Sequence, residues 1–288
     1  MTNTIACVEE ADVILITGSN TTENHPVLSA GVKRAVASGR ARLIVVDPRR
    51  IKIAEFAETY LRPNLGTDVA WINGMMHVII KENLHDKQFV EDRTENFEAL
   101  KAVVEKYTPE YVETITGIPA QQLMDAARLY AGGGVGSILY CMGITQHTSG
   151  TDNVKSLANL AMLCGNLGMR GGGVNPLRGQ NNVQGACDMG GLPNVFTAYQ
   201  PVNNDDASQK MAAAWNVEGL STSIGMKATE MIPAAHDGRL KALYVIGENP
   251  LVSDPDLNHA EDCLGHLDLM VVQDLFMTET ARKADVVL

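Results

Sequence analysis

An apolar, β-branched run, "ADVILITGS" (11–19), gives way to a helical pattern and then to a second apolar run, "RLIVVDP" (42–48). This strand–helix–strand order constrains the chain most. Strands that are apolar along their whole length need cover on both faces, and a short connection through one helix makes them parallel with a right-handed crossover. The intervening "HPVLSAGVKRAVASG" (25–39) reads as that helix, with Pro26 in its first turn and Gly39 past its end.

The alternation continues. "DVAWINGMMHVIIKENL" (68–84) is a helix starting at Asp68, apolar nearly all round and so largely buried; 94–107 and 119–131 are amphipathic helices. "GSILYCMG" (136–143) is a third strand, and 151–168 is a helix closed by Gly168. "LKALYVIG" (240–247) and "LDLMVVQD" (267–274) are further buried strands, and "ADVVL" (284–288) begins another. "AGGGVG" (131–136) follows a helix and precedes a strand, so it reads as a helix end and linker rather than a phosphate loop. "RGGGVN" (170–175) stays open between those readings. The predicted class is α/β, with open, mainly parallel sheets and helices on both faces, like dinucleotide-binding folds. Two domains are expected, 1–180 and a partial one at 181–288.

Charge and spacing exclude several functions. A net charge of −11 repels nucleic acid and anionic membrane. No run of about 18 apolar residues exists to span a bilayer, and "MTNTIACVEEADV" lacks the pattern of a cleavable signal. Cys7, Cys141, Cys164, Cys187 and Cys263 are scattered and odd in number, which points to reduced thiols in a cytoplasmic setting. The histidines (25, 77, 85, 147, 236, 259, 266) form no HExxH or i,i+4 pair, so spacing reveals no metal site.

In open parallel sheets, ligands lie beyond the carboxyl ends of the strands. The segments there are "GSNTTEN" (18–24), "DPRR" (47–50), "MGITQHTSG" (142–150), "GENPLVSD" (247–254) and "QDLFMTET" (273–280). Their amides, hydroxyls and acids suit a nucleotide-like ligand, although any one could simply make a turn. Asp47 resembles the acid that holds a ribose, yet Gly18-Ser19-Asn20 is no GxGxxG, which argues against an ordinary NAD site. His147 reads as a solvated loop residue and Cys187 as a small buried thiol. "NPLRGQNNVQGACDMGG" (175–191) carries neither a helix nor a strand period. Its amides supply donors and acceptors, and Arg178 supplies a fixed fork for a carboxylate or phosphate. The alternative is an Arg178 paired to a structural carboxylate.

The stretch "MGITQHTSGTDNVKSLANLAMLCGNLG", together with "GGGVNPLRGQNNVQGACDMGGLPNVFTAYQPV", closely resembles the catalytic subunits of molybdenum- or tungsten-dependent formate dehydrogenases, within the molybdopterin oxidoreductase family. The resemblance runs from 1 to 288 and is most specific over 142–200. It implies a bis(molybdopterin guanine dinucleotide) cofactor carrying Mo or W. Asn20, Asp47, Arg49, Gly66, Thr67 and Asp68 would hold one dinucleotide, and Asn249, Ser253, Gln273 and Asp274 would serve the other. Met142, Gly143, Gln146 and Gln180 would line the pterin region, and Arg178 would face the metal and orient formate. The family's [4Fe–4S] domain and its cysteine or selenocysteine metal ligand have no counterpart here, nor has the domain that closes over the pterins. The chain is therefore expected to be an internal piece, inactive alone, whose parent works with electron-transfer subunits of a formate dehydrogenase or hydrogenlyase-type complex. A start at Met1 fits a UGA selenocysteine codon taken for a stop. The alternatives are a sibling such as a nitrate reductase and a non-catalytic cofactor-binding or assembly module.

Overall fold

The computed structural model describes residues 2–288, and the chain divides after Val183 into two compact units. The first is built on a five-stranded sheet: β1 (Val13–Thr17), β2 (Arg42–Val46), β3 (Thr59–Leu61), β4 (Gly136–Tyr140) and β5 (Gly173–Pro176). The spatial order is β3-β2-β1-β4-β5, and every pairing is parallel. β1 lies at the centre, Val13 opposite both Arg42 and Gly136, and all five of its residues are buried.

Successive side chains of these strands serve opposite cores. Val13, Leu15, Ile44, Val46, Ile138 and Tyr140 face one side, under the helices Asp68–Lys81, Ala120–Gly132 and Gly150–Leu163. Ile14, Ile16, Leu43, Val45 and Leu139 face the other, against the helix Pro26–Ala37. Each fully buried Ile or Leu contributes about 1.5–3 kcal/mol, which is why the apolar runs find their places so firmly. Cys164 packs against the first core, where burial pushes its thiol up to about 12. All five cysteines are free.

Some local readings change. β5 falls on "GVNP", the stretch left open between loop and linker, and its proline is tolerated because β5 is an edge strand. β3, three residues long, was too short to leave a pattern. The helix read over 94–107 shrinks to Phe97–Val104, since Asn96 adopts a left-handed conformation (φ 59°) ahead of it. A separate helix, Pro109–Thr116, then starts on a Thr108 cap.

The second unit holds a parallel sheet of β8 (Ala242–Ile246), β9 (Leu269–Gln273) and β10 (Val286–Val287), in the order β10-β9-β8. Before it come a short antiparallel pair, β6 (Val195–Phe196) and β7 (Gln200–Pro201), and the helix Asp205–Trp215. Val245, Met270 and Val272 are buried with Leu264 and Ala281. Tyr244, Ile246 and Leu269 are exposed. Here the expectation of strands buried on both faces is corrected: among the described residues only one face of this sheet is covered.

Candidate functional site

The strand order of the first unit reverses at β1. The chain runs outward from β1 to β2 and β3, then returns to place β4 on β1's other side. Loops on either side of such a switch point diverge and leave a crevice at the carboxyl ends. A cleft of about 1470 Å³ lies there, lined by segments following β1, β2, β3 and β4 and by Gly179 beyond β5.

The floor is set by glycine. Gly18 adopts φ +55°, and the Gly143 N–H donates to its carbonyl at 3.1 Å, so the loops after β1 and β4 touch through backbone alone. Beside them, Ser19 Oγ, Asn20 Oδ1, Thr21 Oγ1 and His25 Nδ1 are buried without a hydrogen-bond partner. His25 Nε2 lies 2.8 Å from the carbonyl of Arg178. A carbonyl only accepts, so in the neutral ring Nε2 carries the proton and Nδ1 is a bare acceptor. Buried polar atoms left unpaired cost about 1–3 kcal/mol each, a pattern expected of atoms that a ligand completes.

Charge on the walls is divided. Asp47 follows β2, is 9% exposed, and accepts the Arg49 N–H at 2.8 Å. Burial holds its carboxyl above the usual carboxylate range, opposed by Arg49 and assisted by Asp68. Asp68 opens the helix Asp68–Lys81 and accepts from Trp71 Nε1–H at 3.2 Å. Burial raises its pKa too, while the Trp71 hydrogen bond and His147 act against it. Arg49, Arg50 and Arg62 also line the cleft, and none has a carboxylate within ion-pair distance among the described residues. Unpaired guanidiniums in an acidic protein mark a place for an anionic ligand.

These raised carboxyls bear on stability. An acid whose pKa is higher folded than unfolded holds its proton more tightly in the folded state. That contribution is complete below the unfolded value of about 4 and is lost as pH rises through the folded value. Near neutral pH, in the protein without ligand, burial at both positions therefore works against the charged carboxylate. Asp47→Asn and Asp68→Asn keep Oδ1 as acceptor for the Arg49 and Trp71 donors. Each is expected to raise the thermal midpoint near neutral pH and to flatten its decline above about pH 4. Melting curves across pH check this; midpoints lowered by both substitutions contradict it.

Of the expected site residues, Asn20, Asp47, Arg49, Gly66, Asp68, Met142 and Gly143 line the cleft together. Thr67 does not; its hydroxyl donates to the Asn64 carbonyl at 2.7 Å and shapes the turn before the helix. Gln146, Arg178 and Gln180 are exposed on neighbouring loops outside that lining. Arg178 is anchored through its backbone by His25, and no carboxylate pairs with its guanidinium among the described residues.

In the second unit the expected residues gather at the carboxyl ends of β8 and β9. Asn249 is braced there, donating to Glu279 at 2.8 Å and accepting from the Thr280 hydroxyl at 2.7 Å. Ser253 Oγ donates to the Asn249 carbonyl at 3.2 Å, Gln273 accepts from Tyr244 at 2.7 Å, and Asp274 accepts the Phe276 N–H at 3.2 Å. Reading the sequence missed Ser19, His25, Arg50 and Arg62 as lining residues. Arg50 was visible in "DPRR", but Arg62 follows a strand too short to register. His147, read as merely solvated, lies in the cleft with Nε2 2.9 Å from the Gly143 carbonyl and 3.8 Å from Asp68.

A parallel sheet with a polar, guanidinium-lined crevice at its switch point has the chemistry to suit a large anionic group. The family model of molybdopterin oxidoreductases matches residues 1–288, and the chain belongs to that family. It is 51% identical over its whole length to the F420-dependent formate dehydrogenase 1 subunit alpha of Methanococcus maripaludis and spans 42% of that protein. It is 52% identical to the corresponding subunit of Methanocaldococcus jannaschii, again over 100% of this chain and 42% of the relative. Formate dehydrogenase H of Escherichia coli is 45% identical, with 100% of this chain and 40% of that protein aligned. Among solved structures, acetylene hydratase from Pelobacter acetylenicus superposes with a TM-score of 0.74 at 25% identity, covering 99% of this chain and 43% of that one. The chain thus spans about two fifths of the length of such relatives. Family membership implies a molybdopterin cofactor, and the unpaired buried atoms and free guanidiniums of the cleft fit a polar, phosphate-bearing group of that kind.

Proposed function

We propose that the chain is part of the catalytic subunit of a formate dehydrogenase that oxidises formate to CO2, a proton and two electrons. The observation that carries this reading is Arg178: its backbone is fixed by His25 while its guanidinium has no carboxylate partner, in a chain about half identical to formate dehydrogenase subunits. A guanidinium is always charged and offers two parallel N–H donors to a carboxylate. Arg178 would bind formate through both oxygens and aim its C–H bond at the reacting centre.

Residues 1–180 would hold one guanine dinucleotide of a Mo- or W-bis(molybdopterin guanine dinucleotide) through Asn20, Asp47, Arg49, Gly66, Thr67 and Asp68. Residues 181–288 would contribute Asn249, Ser253, Gln273 and Asp274 to the other. Met142, Gly143, Gln146 and Gln180 would line the pterins. The bound group supplies a two-electron acceptor, and the chain supplies position and field. In the whole protein the electrons would leave through a [4Fe–4S] cluster to electron-transfer subunits in the cytoplasm. No helix among the described residues is long and apolar enough to cross a membrane.

The test is substrate choice by the full-length enzyme that contains this segment. Formate should reduce a viologen dye, whereas nitrate should not reoxidise the reduced dye. Nitrate turnover without formate turnover overturns the assignment in favour of a sibling oxidoreductase. A cofactor-loaded protein inert toward both substrates supports an assembly module instead.

A further inference from the structure

Histidine spacing along the chain reveals no metal site, but the fold assembles one candidate. In the second unit the helix Ala228–His236 packs against the helix Leu257–Leu264. Where the first helix ends, His236 meets Asp262 and His266, and one ligand atom from each lies within 4.8 Å of the others. All three side chains are exposed and open to an ion from solvent.

One pair of these donors already stands at the spacing of ligands around a metal ion. His236 Nδ1 stands 3.2 Å from Asp262 Oδ2. Donors of a tetrahedral zinc ion, with bonds of about 2.0–2.1 Å, lie about 3.3 Å apart. His266 Nδ1 is 2.8 Å from the Asp262 backbone oxygen. Because a carbonyl only accepts, Nδ1 bears the proton in the neutral ring and Nε2 keeps its lone pair. A backbone carbonyl on the far nitrogen is a usual way to orient a ligating histidine. The two imidazoles meet edge to face, with centroids 4.7 Å apart.

We propose that His236, Asp262 and His266 bind a divalent transition-metal ion of the zinc class, with water completing its shell. Two imidazoles and one carboxylate suit Zn2+, Co2+ or Ni2+; Mg2+ and Ca2+ require more oxygen donors. The neutral His236 ring would ligate through the Nδ1 lone pair with its proton on Nε2, and the ion would take the place between Nδ1 and Asp262 Oδ2. Bound there, it clips the end of one helix to the turn that leads from the other into β9. The inference does not depend on the formate dehydrogenase reading.

The test uses the 288-residue chain stripped with a chelator and titrated with ZnCl2 in a calorimeter. Wild type should take up one equivalent and melt at a higher temperature with the ion. His236→Gln, Asp262→Asn and His266→Gln should each weaken uptake by at least about 10-fold while melting as wild type does without metal. His259 and Cys263, with Nε2 and Sγ 3.4 Å apart, form another pair of donors on the same helix as Asp262. His259→Gln should therefore bind like wild type. Absence of uptake by wild type, uptake unchanged in the His236 and His266 variants, or its loss in His259→Gln overturns the proposal.

Discussion

Arg178→Lys in the full-length enzyme is expected to lower formate turnover per bound metal on the order of 100-fold while leaving cofactor content near normal. Lysine keeps the charge but loses the planar fork, and misplacing a reacting bond by about an ångström costs on the order of 100-fold in rate. Arg178→Ala should be slower still and should raise the formate KM, because the carboxylate then lacks its counter-charge. Neither substitution removes an ion pair from the folded chain, since none is formed among the described residues. Folding and cofactor retention are thus expected to survive. Gln180→Ala should behave in the opposite way, reducing cofactor content before it reduces turnover per metal. Wild-type turnover per metal in both arginine variants would make Arg178 a structural residue.

The second large effect falls on stability. At Gly18 a Cβ would stand 2.7 Å from the Gly143 carbonyl carbon and from the Ile144 nitrogen, both backbone atoms that cannot swing aside. Gly18 also adopts φ +55°. Gly18→Val therefore meets a left-handed strain of about 1–2 kcal/mol and an overpacking cost of about 1–3 kcal/mol. The melting midpoint should fall by roughly 10 °C, at about 2–4 °C for each kcal/mol in a domain of this size. Gly39 separates the two causes, since it has φ +73° but nothing within 4 Å of its would-be Cβ. Gly39→Val should show the strain alone. Equal losses in the two variants would mean that the touching of the β1 and β4 loops does not hold the cleft floor.

Legibility in the sequence followed physical strength. β1, β2 and β4 were readable because every one of their residues, Arg42 excepted, is buried, and burial leaves a continuous apolar run. β5 was not, because an edge strand tolerates glycine and proline, the residues that elsewhere announce a loop. The tips that line the cleft were legible from strand ends alone. Which polar atoms among them are already spent was not. Thr67 and Asn249 look as suitable as Ser19, yet their side chains are bonded within the fold and that of Ser19 is not. Arg178 has the same history: composition suggested an anion, and only the fold could decide whether a carboxylate was already beside it. The His236, Asp262 and His266 cluster was invisible because His236 ends one helix, Asp262 lies in another, 26 residues further along the chain, and His266 in the turn after it.

The most direct measurement is a structure of the cofactor-loaded full-length enzyme with formate or a formate analogue bound. The expected result places a guanine dinucleotide in the cleft at the β1–β4 switch point, with its phosphates against the Ser19–Thr21 segment and Arg49. Asp47 and Asp68 should contact its sugar or base, and the Arg178 guanidinium should lie on the substrate carboxylate. A cofactor that leaves this cleft to solvent, or a carboxylate bound away from Arg178, would contradict it.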